Sequence, residues 1–177
     1  MSNIWHDMDP KRITPEDFIA VVEISKGSKK KYELDKTTGL IIGDRVWYTS
    51  THYPANYGFI PRTYGDDGHP LDVLILCSEE LDPMTLVRCY PIGYISMLDG
   101  GKNDEKIIAI PFTDPTYNSY RELTELPAHV FDEMTHFFTV YKNLEQKETV
   151  AGDINGRAAA VKVIQSAIDH YVETFCR

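Results

Sequence analysis

Residues 66–72 combine side chains that can hold a divalent cation at the mouth of a predicted strand. The segment reads Asp-Asp-Gly-His-Pro-Leu-Asp and runs directly into the apolar residues 73–76. Asp67 and Asp72 flank a glycine and a proline, and such a turn can point several oxygen ligands into one small volume, as Mg2+ requires. His69 lies between them, where a third acid would complete the set. We therefore expect the chemistry of this protein to depend on this segment and on that histidine.

Further acids stand at the ends of predicted strands. Glu23 and Glu33 belong to two early strands. Asp99 and Asp104 bracket a Gly-Gly-Lys-Asn loop that could fold back and direct both carboxylates at one cation. Each acid taken singly is typical of a solvated surface, but the strand ends of a barrel gather on one rim. The pattern as a whole favours a shared metal site.

Cations and phenols supply the groups that would bind a phosphate. Arginine presents a planar fork suited to phosphate oxygens, lysine is a compact point charge, and tyrosine can donate a phenolic hydrogen bond. Spacing alone is also consistent with solvated lysines and with tyrosines that pack in the core with a polar tip at the surface. The candidates are Lys31, Arg45, Lys106, Lys142, Tyr57 and Tyr141.

The predicted elements indicate an α+β protein that is mainly β. The first two thirds of the 177 residues read as short strands separated by turns, which favours a small barrel or sandwich over a βαβ sheet. From Pro127 the apolar spacing becomes helical, residues 155–156 predict a turn, and a second helical stripe covers residues 161–175. Because no internal repeat or linker interrupts the chain, we expect residues 1–177 to form one domain. The predicted strands are 19–24, 31–35, 40–48, 73–77, 86–90, 94–97 and 106–111.

Composition and charge narrow the class of protein. The apolar content of 42% and the charged content of 25% are ordinary for a globular protein. A net charge of −9 argues against a nucleic-acid partner, although it permits a small phosphate ligand held through metal. Three cysteines without CxxC spacing indicate neither a disulfide framework nor a zinc site. Residues 1–18 lack the pattern of a secretory signal, and no apolar run approaches about 18–20 residues, so we expect a cytoplasmic setting and no membrane partner.

Four longer motifs resemble the soluble, family I inorganic pyrophosphatases. They are Tyr-Pro-Ala-Asn-Tyr-Gly-Phe-Ile-Pro at 53–61, the turn at 67–72, Arg-Cys-Tyr-Pro-Ile-Gly at 88–93, and His-Phe-Phe at 136–138 leading to Tyr-Lys-Asn-Leu-Glu at 141–145. Their order and spacing agree with the family from residue 18 to residue 147. The resemblance implies a five-stranded OB-like β-barrel flanked by C-terminal helices and a homo-oligomer, expected to be a hexamer. It also implies metal-dependent hydrolysis of pyrophosphate to two phosphates.

The resemblance implies roles for individual residues and three or four Mg2+ ions. Asp67, Asp72 and Asp104 would hold the first metal, with Asp72 shared by the second. Asp99 and Asp104 would bind a third metal that arrives with the substrate, and Glu23 would help with a fourth. The implied ligands of the two phosphoryl groups are Lys31, Arg45, Tyr141 and Lys142, with Lys106 assisting them and Tyr57 near the nucleophilic water.

The charge of this set independently favours metal dependence. With Glu33 counted, six carboxylates and four cations leave a charge of −2. About three Mg2+ would bring the site to roughly +4, which matches a fully ionised pyrophosphate. Without metal, the site would repel its substrate.

His69 departs from the family signature, which normally reads Asp-x-Asp-Pro-x-Asp. The missing acid is the one thought to accept the proton from the water that bridges two metals. His69 could replace it as general base, or bind metal and favour Mn2+, Co2+ or Zn2+ over Mg2+. The base could also be lost, leaving the metals alone to lower the pKa of bound water, or the imidazole could simply point to solvent.

We expect a working pyrophosphatase with altered pH or metal dependence. The leading alternative is a catalytically weak pyrophosphate- or nucleotide-binding protein that keeps the metal site as a sensor. Tight metal-dependent binding of pyrophosphate without turnover would distinguish it. An OB-type nucleic-acid binder is a further alternative, since such barrels stack bases on exposed aromatics, but the acidic balance disfavours it.

Overall fold

The computed structural model describes residues 3–177. The strands are β1 (Phe18–Ile24), β2 (Lys30–Leu34), β3 (Ile41–Val46), β4 (Asn56–Ile60), β5 (Leu71–Ile75), β6 (Leu86–Asp99), β7 (Lys102–Asn103), β8 (Lys106–Pro111) and β9 (Thr149–Gly156). The α-helices are α1 (Ile4–Asp7), α2 (Ala128–Val140) and α3 (Arg157–Phe175). In this part of the chain, no helix is both long enough and apolar enough to span a membrane.

Five strands close into a ring. β1 pairs with β4, β4 with β5, β5 with β8, β8 with β6, and β6 returns to β1. The β5–β8 pair is parallel and the others are antiparallel. β2 and β3 form a separate hairpin, and β9 extends β6 outside the ring. This ring with its C-terminal helices confirms the predicted α+β, mainly-β class and is consistent with an OB-like barrel.

The ring strands are buried on both faces, which explains their nearly continuous apolar sequence. Successive side chains of a strand point to opposite sides. Leu74 and Ile108 face a core that includes α2 residues such as Phe138, whereas Val73 faces a second core that includes Ile164 of α3. The two helices therefore cover opposite faces of the same strands.

Several predicted boundaries were wrong. Residues 86–90 and 94–97 belong to one strand, β6, because a shift of register between Pro91 and Gly93 bends the strand instead of ending it. Residues 155–156, predicted as a turn, end β9 and pair with β6. The segment around Tyr57, for which no strand was predicted, forms β4.

Candidate active site

Lys106 is the centre of a buried polar cluster. Its side chain is 3% exposed, and its Nζ donates to Tyr57 Oη at 2.8 Å, Asp72 Oδ2 at 2.9 Å and Asp104 Oδ2 at 3.2 Å. The parallel register of β5 and β8 places Asp72 opposite Lys106, and β4 supplies Tyr57 from the other side of β5. Strand register therefore gathers residues that are distant in sequence.

Burial sets the protonation of this cluster. Burial by itself would lower the pKa of Lys106, but the negative charge of the neighbouring Asp72 holds it well above its usual value, so the ammonium stays charged. Burial raises the pKa of Tyr57 well above its usual value, so the phenol keeps its proton. Burial also raises the pKa of Asp104, against the opposing charge of Lys106.

Asp67, a predicted metal ligand, lies in the loop between β4 and β5. Its Oδ1 accepts the backbone N–H of His69 at 3.0 Å. Burial raises its pKa, and the nearby Asp104 raises it further. Asp67 and Asp104 line one narrow crevice together with Asn103 and Glu105. Carboxylates from two separate loops thus meet at the same small volume.

Glu23 is a buried carboxyl on β1. Its Oε2 accepts the backbone N–H of Leu34 at 2.7 Å. Burial, and then the negative charge of Asp72, raise its pKa to about 8. In the absence of a cation, the group therefore holds its proton at neutral pH.

Lys31 and Arg45 are paired across the β2–β3 hairpin, so two of the predicted phosphate ligands are adjacent. Arg45 Nη1 donates to Glu145 Oε1 at 2.5 Å. Arg45 Nε and Glu145 Oε2 are both buried without a hydrogen-bond partner. Buried polar atoms usually have partners, and of these two only Arg45 Nε is a donor that a phosphate oxygen could accept from.

The end of α2 supplies two further predicted ligands. Lys142 Nζ donates to Asp99 Oδ2 at 2.7 Å. Tyr141 is buried, and its ring packs edge-on against Trp47 with 4.9 Å between ring centroids. The helix terminus therefore brings a cation to a predicted metal-binding acid.

Sequence reasoning assigned no role to Trp47 or Glu145. The ring of Trp47 lies 4.6 Å from Arg45 Cζ and 5.9 Å from both Lys31 Nζ and Lys142 Nζ. The only sequence signal that could have placed Trp47 beside these cations was its position two residues after Arg45. Glu145 lay inside a motif that was used only for the family resemblance.

His69 stands at the rim of the site, and its side chain is exposed. Its Nδ1 lies 3.3 Å from Lys36 Nζ, and that ammonium lies 4.7 Å from the ring centroid of Trp5. The backbone carbonyl of His69 accepts the N–H of Gly65 at 2.8 Å, which closes the turn. Sequence reasoning did not foresee Lys36 as a partner.

The donors of this site fit a hard divalent cation, although they are not preassembled around one. Within residues 3–177, no three His, Cys, Asp or Glu side chains already stand in metal-ligand geometry. Instead, Lys106 and Lys142 bond three of the predicted metal-binding aspartates. Burial raises the pKa of both Asp67 and Asp104, which disfavours their charged forms. A divalent cation with oxygen preference would favour those charged forms.

Comparison with known proteins identifies the family. A family model described as inorganic pyrophosphatase matches residues 20–172. The chain belongs to the inorganic pyrophosphatase family. Soluble inorganic pyrophosphatase 2 of Chlamydomonas reinhardtii is 45% identical over 174 residues, covering 98% of this chain and 91% of that protein. Soluble inorganic pyrophosphatase 1 of Arabidopsis thaliana is 46% identical, with 96% of this chain and 80% of that one covered.

Solved pyrophosphatase structures share this fold. The structure from Thermus thermophilus superposes with a TM-score of 0.91 at 32% identity, covering 96% of this chain and 99% of that one. The structure from Helicobacter pylori gives a TM-score of 0.85 at 39% identity, covering 89% and 94%. The resemblance stated from the four motifs is thereby confirmed at the level of the family.

Proposed function

We propose that this protein hydrolyses inorganic pyrophosphate to two phosphates and requires divalent cations. Membership of the pyrophosphatase family supports the activity and the metal requirement. The observation that carries the residue-level proposal is the Lys106 cluster. It places one buried ammonium against two carboxylates and a protonated phenol, a set suited to a phosphoanhydride and its counter-ions.

Five acids are the proposed metal ligands, and we expect three or four Mg2+ ions to bind in each active site. Asp67, Asp72 and Asp104 would hold the first ion, with Asp72 shared by a second. Asp99 and Asp104 would hold a third, and Glu23 would serve a fourth. Bound cations lower the pKa of coordinated water and neutralise phosphate oxygens. The crevice shared by Asp67 and Asp104 supports this arrangement.

The proposed phosphate ligands are Lys31, Arg45, Tyr141 and Lys142, with Lys106 assisting. Lys31, Arg45, Lys106 and Lys142 each form an ion pair with an acid. If Asp72, Asp99 and Asp104 held metal, Lys106 and Lys142 would lose part of their carboxylate contacts and could turn to phosphate oxygens. Metal binding and pyrophosphate binding should therefore favour each other.

Tyr57 is the proposed hydrogen-bond donor beside the attacking water. Lys106 donates to Tyr57 Oη, and burial keeps the phenol protonated. Because Tyr57 Oη accepts from Lys106, its own proton is free to point toward the reacting water or a phosphate oxygen.

His69 is the proposed proton acceptor, in competition with its contact to Lys36. While Lys36 donates to Nδ1, the neutral imidazole carries its proton on Nε2 and neither nitrogen can accept another. A general-base role therefore requires this contact to open. A role as metal ligand would instead appear as a preference for Mn2+, Co2+ or Zn2+.

We also propose a cytoplasmic homo-hexamer. Exposed apolar side chains line the outer face of β3 and its flanks, which is the kind of surface that oligomers cover. They are Leu40, Ile42, Val46 and Tyr48. Light scattering of the purified protein would measure the oligomer, and a monomeric mass would contradict the hexamer.

Phosphate release from pyrophosphate tests the function. The EDTA-stripped protein should be inactive and should recover activity with Mg2+, Mn2+, Co2+ or Zn2+ supplied separately. Asp104→Asn should reduce the rate roughly 100-fold or more, whereas Asp153→Asn, at an exposed position of β9, should not change it. If the folded protein binds pyrophosphate with metal but releases no phosphate, the second candidate, a catalytically weak binding protein, replaces this proposal.

A further inference from the structure

We propose that Trp47 is a positioning residue that gathers the three cations of the phosphate site. The inference rests on the proposed function, because it concerns the same site. Lys31, Arg45 and Lys142 come from three different elements, yet all approach one indole ring, at 5.9, 4.6 and 5.9 Å. A cation within about 6 Å of an aromatic centroid is attracted by the ring quadrupole, and tryptophan is the strongest such partner.

The indole is held in place from several sides. Trp47 is 3% exposed. Its ring Nε1–H donates to Tyr53 Oη at 3.3 Å, and its backbone N–H donates to the carbonyl of Lys29 at 2.9 Å. The ring of Tyr141 packs against it edge-on. A buried ring with these contacts offers the long cationic side chains a fixed reference surface.

The Trp47 ring differs from the acidic partners of these cations, because ligand binding does not remove or neutralise it. The three cations form ion pairs with Asp44, Glu145 and Asp99. Bound pyrophosphate and metal would compete for those charges, so these ion pairs would change on ligand binding. The indole is uncharged, so metal and phosphate do not compete for it. Its attraction keeps the three cations together although they repel each other. Trp47 thus reduces the ordering that pyrophosphate binding requires.

Steady-state kinetics of two substitutions test this role. We expect Trp47→Leu, which keeps an apolar side chain but removes the ring, to raise the KM for pyrophosphate roughly 5–20-fold, with a smaller change in kcat. Trp47→Phe should recover part of the loss, because phenylalanine retains a weaker quadrupole. Phe112→Leu removes the ring beside Arg88, a cation that has no proposed role in the site; it is the matched aromatic-to-aliphatic control and should keep the wild-type KM.

Two kinetic results would overturn the inference. One is a Trp47→Leu enzyme with a KM within about twofold of wild type. The other is an equal KM for the Phe and Leu variants, which would indicate packing in place of cation attraction. Failure of the wild-type protein to release phosphate would instead overturn the proposed function, so the two failures are distinguishable.

Fluorescence keeps the test decisive if Trp47→Leu fails to fold. The chain has two tryptophans, so a Trp5→Phe protein reports Trp47 alone. Inorganic phosphate added with Mg2+ should move the cations relative to the ring and change the emission in a saturable way. An emission that stays constant while phosphate binding is detected by calorimetry would overturn the proposal.

Discussion

Lys106 and Asp72 form an ion pair of 2.9 Å in which the lysine side chain is 3% exposed. The pair joins the parallel strands of the ring, β5 and β8, where the two residues are opposed in register. A lysine so deeply buried is stable only with compensating charge. Carboxylates that are proposed to bind metal, Asp72 and Asp104, therefore also compensate the charge of the buried lysine.

Removal of the Lys106 ammonium should destabilise the metal-free protein. In Lys106→Met, Asp72 and Asp104 lose their shared counter-charge, and breaking a buried pair typically costs about 3–5 kcal/mol. Mg2+ should recover part of this loss by replacing the missing positive charge. Urea unfolding in EDTA and in Mg2+ measures both effects, with Lys102→Met at an exposed position of β7 as control. Equal stability of Lys106→Met and wild type in EDTA would contradict the structural role.

Glu23 should make the metal-free protein less stable as pH rises. Its pKa is about 8 in the folded state, against an ordinary value of 4.5, so the native state binds the proton more tightly than the unfolded state. Stability should therefore fall between about pH 4.5 and pH 8, by at most about 1.4 kcal/mol per pH unit.

Glu23→Gln isolates this effect. Glutamine can still accept the Leu34 N–H but does not ionise. The variant should match wild type near pH 4.5 and exceed it at pH 8, measured by urea unfolding in EDTA. Parallel stability curves for the two proteins across this range would show that Glu23 does not titrate with a raised pKa.

An acid at position 69 should increase the rate of pyrophosphate hydrolysis with Mg2+. His69→Asp supplies the carboxylate of the usual signature, and a general base typically contributes about 10²–10⁴ in rate. We expect faster Mg2+-supported turnover and an acid limb of the pH–rate profile at lower pH, because a carboxylate ionises below an imidazole. His69→Asn, similar in size but not a base, is the control. An unchanged rate and profile in His69→Asp would place residue 69 away from the proton transfer.

Gly58 should be intolerant of any side chain. A Cβ at this position of β4 would lie 1.8 Å from the carbonyl oxygen of Val21 on β1. Gly58→Ala must therefore separate β1 from β4, and we expect a loss of at least about 3 kcal/mol. Thermal unfolding measures it, and Gly156→Ala, where the Cβ would meet nothing within 4 Å, should be nearly neutral. Equal melting temperatures for the two variants would contradict the close approach of β1 and β4.

Much of the fold could be predicted from the local pattern of apolar residues in the sequence. The apolar run of β8 was predicted with its observed bounds, and the helical period predicted α2 and α3, because periodicity records which face of an element is buried. β4 was missed because its aromatic residues are interrupted by a glycine. The turn predicted at residues 155–156 was wrong because these residues pair with β6 and remain extended. The local Asn-Gly sequence does not indicate that long-range pairing.

The sequence by itself determined which residue types are available for chemistry: acids at strand ends, four cations, two tyrosines and a histidine in place of an acid. Only the tertiary structure decided their partners. Lys106 lies between Asp72 and Asp104 because of the β5–β8 register, Trp47 meets cations from three elements, and His69 contacts Lys36. Partner choice depends on contacts between distant segments, whereas residue type and periodicity are local properties of the chain.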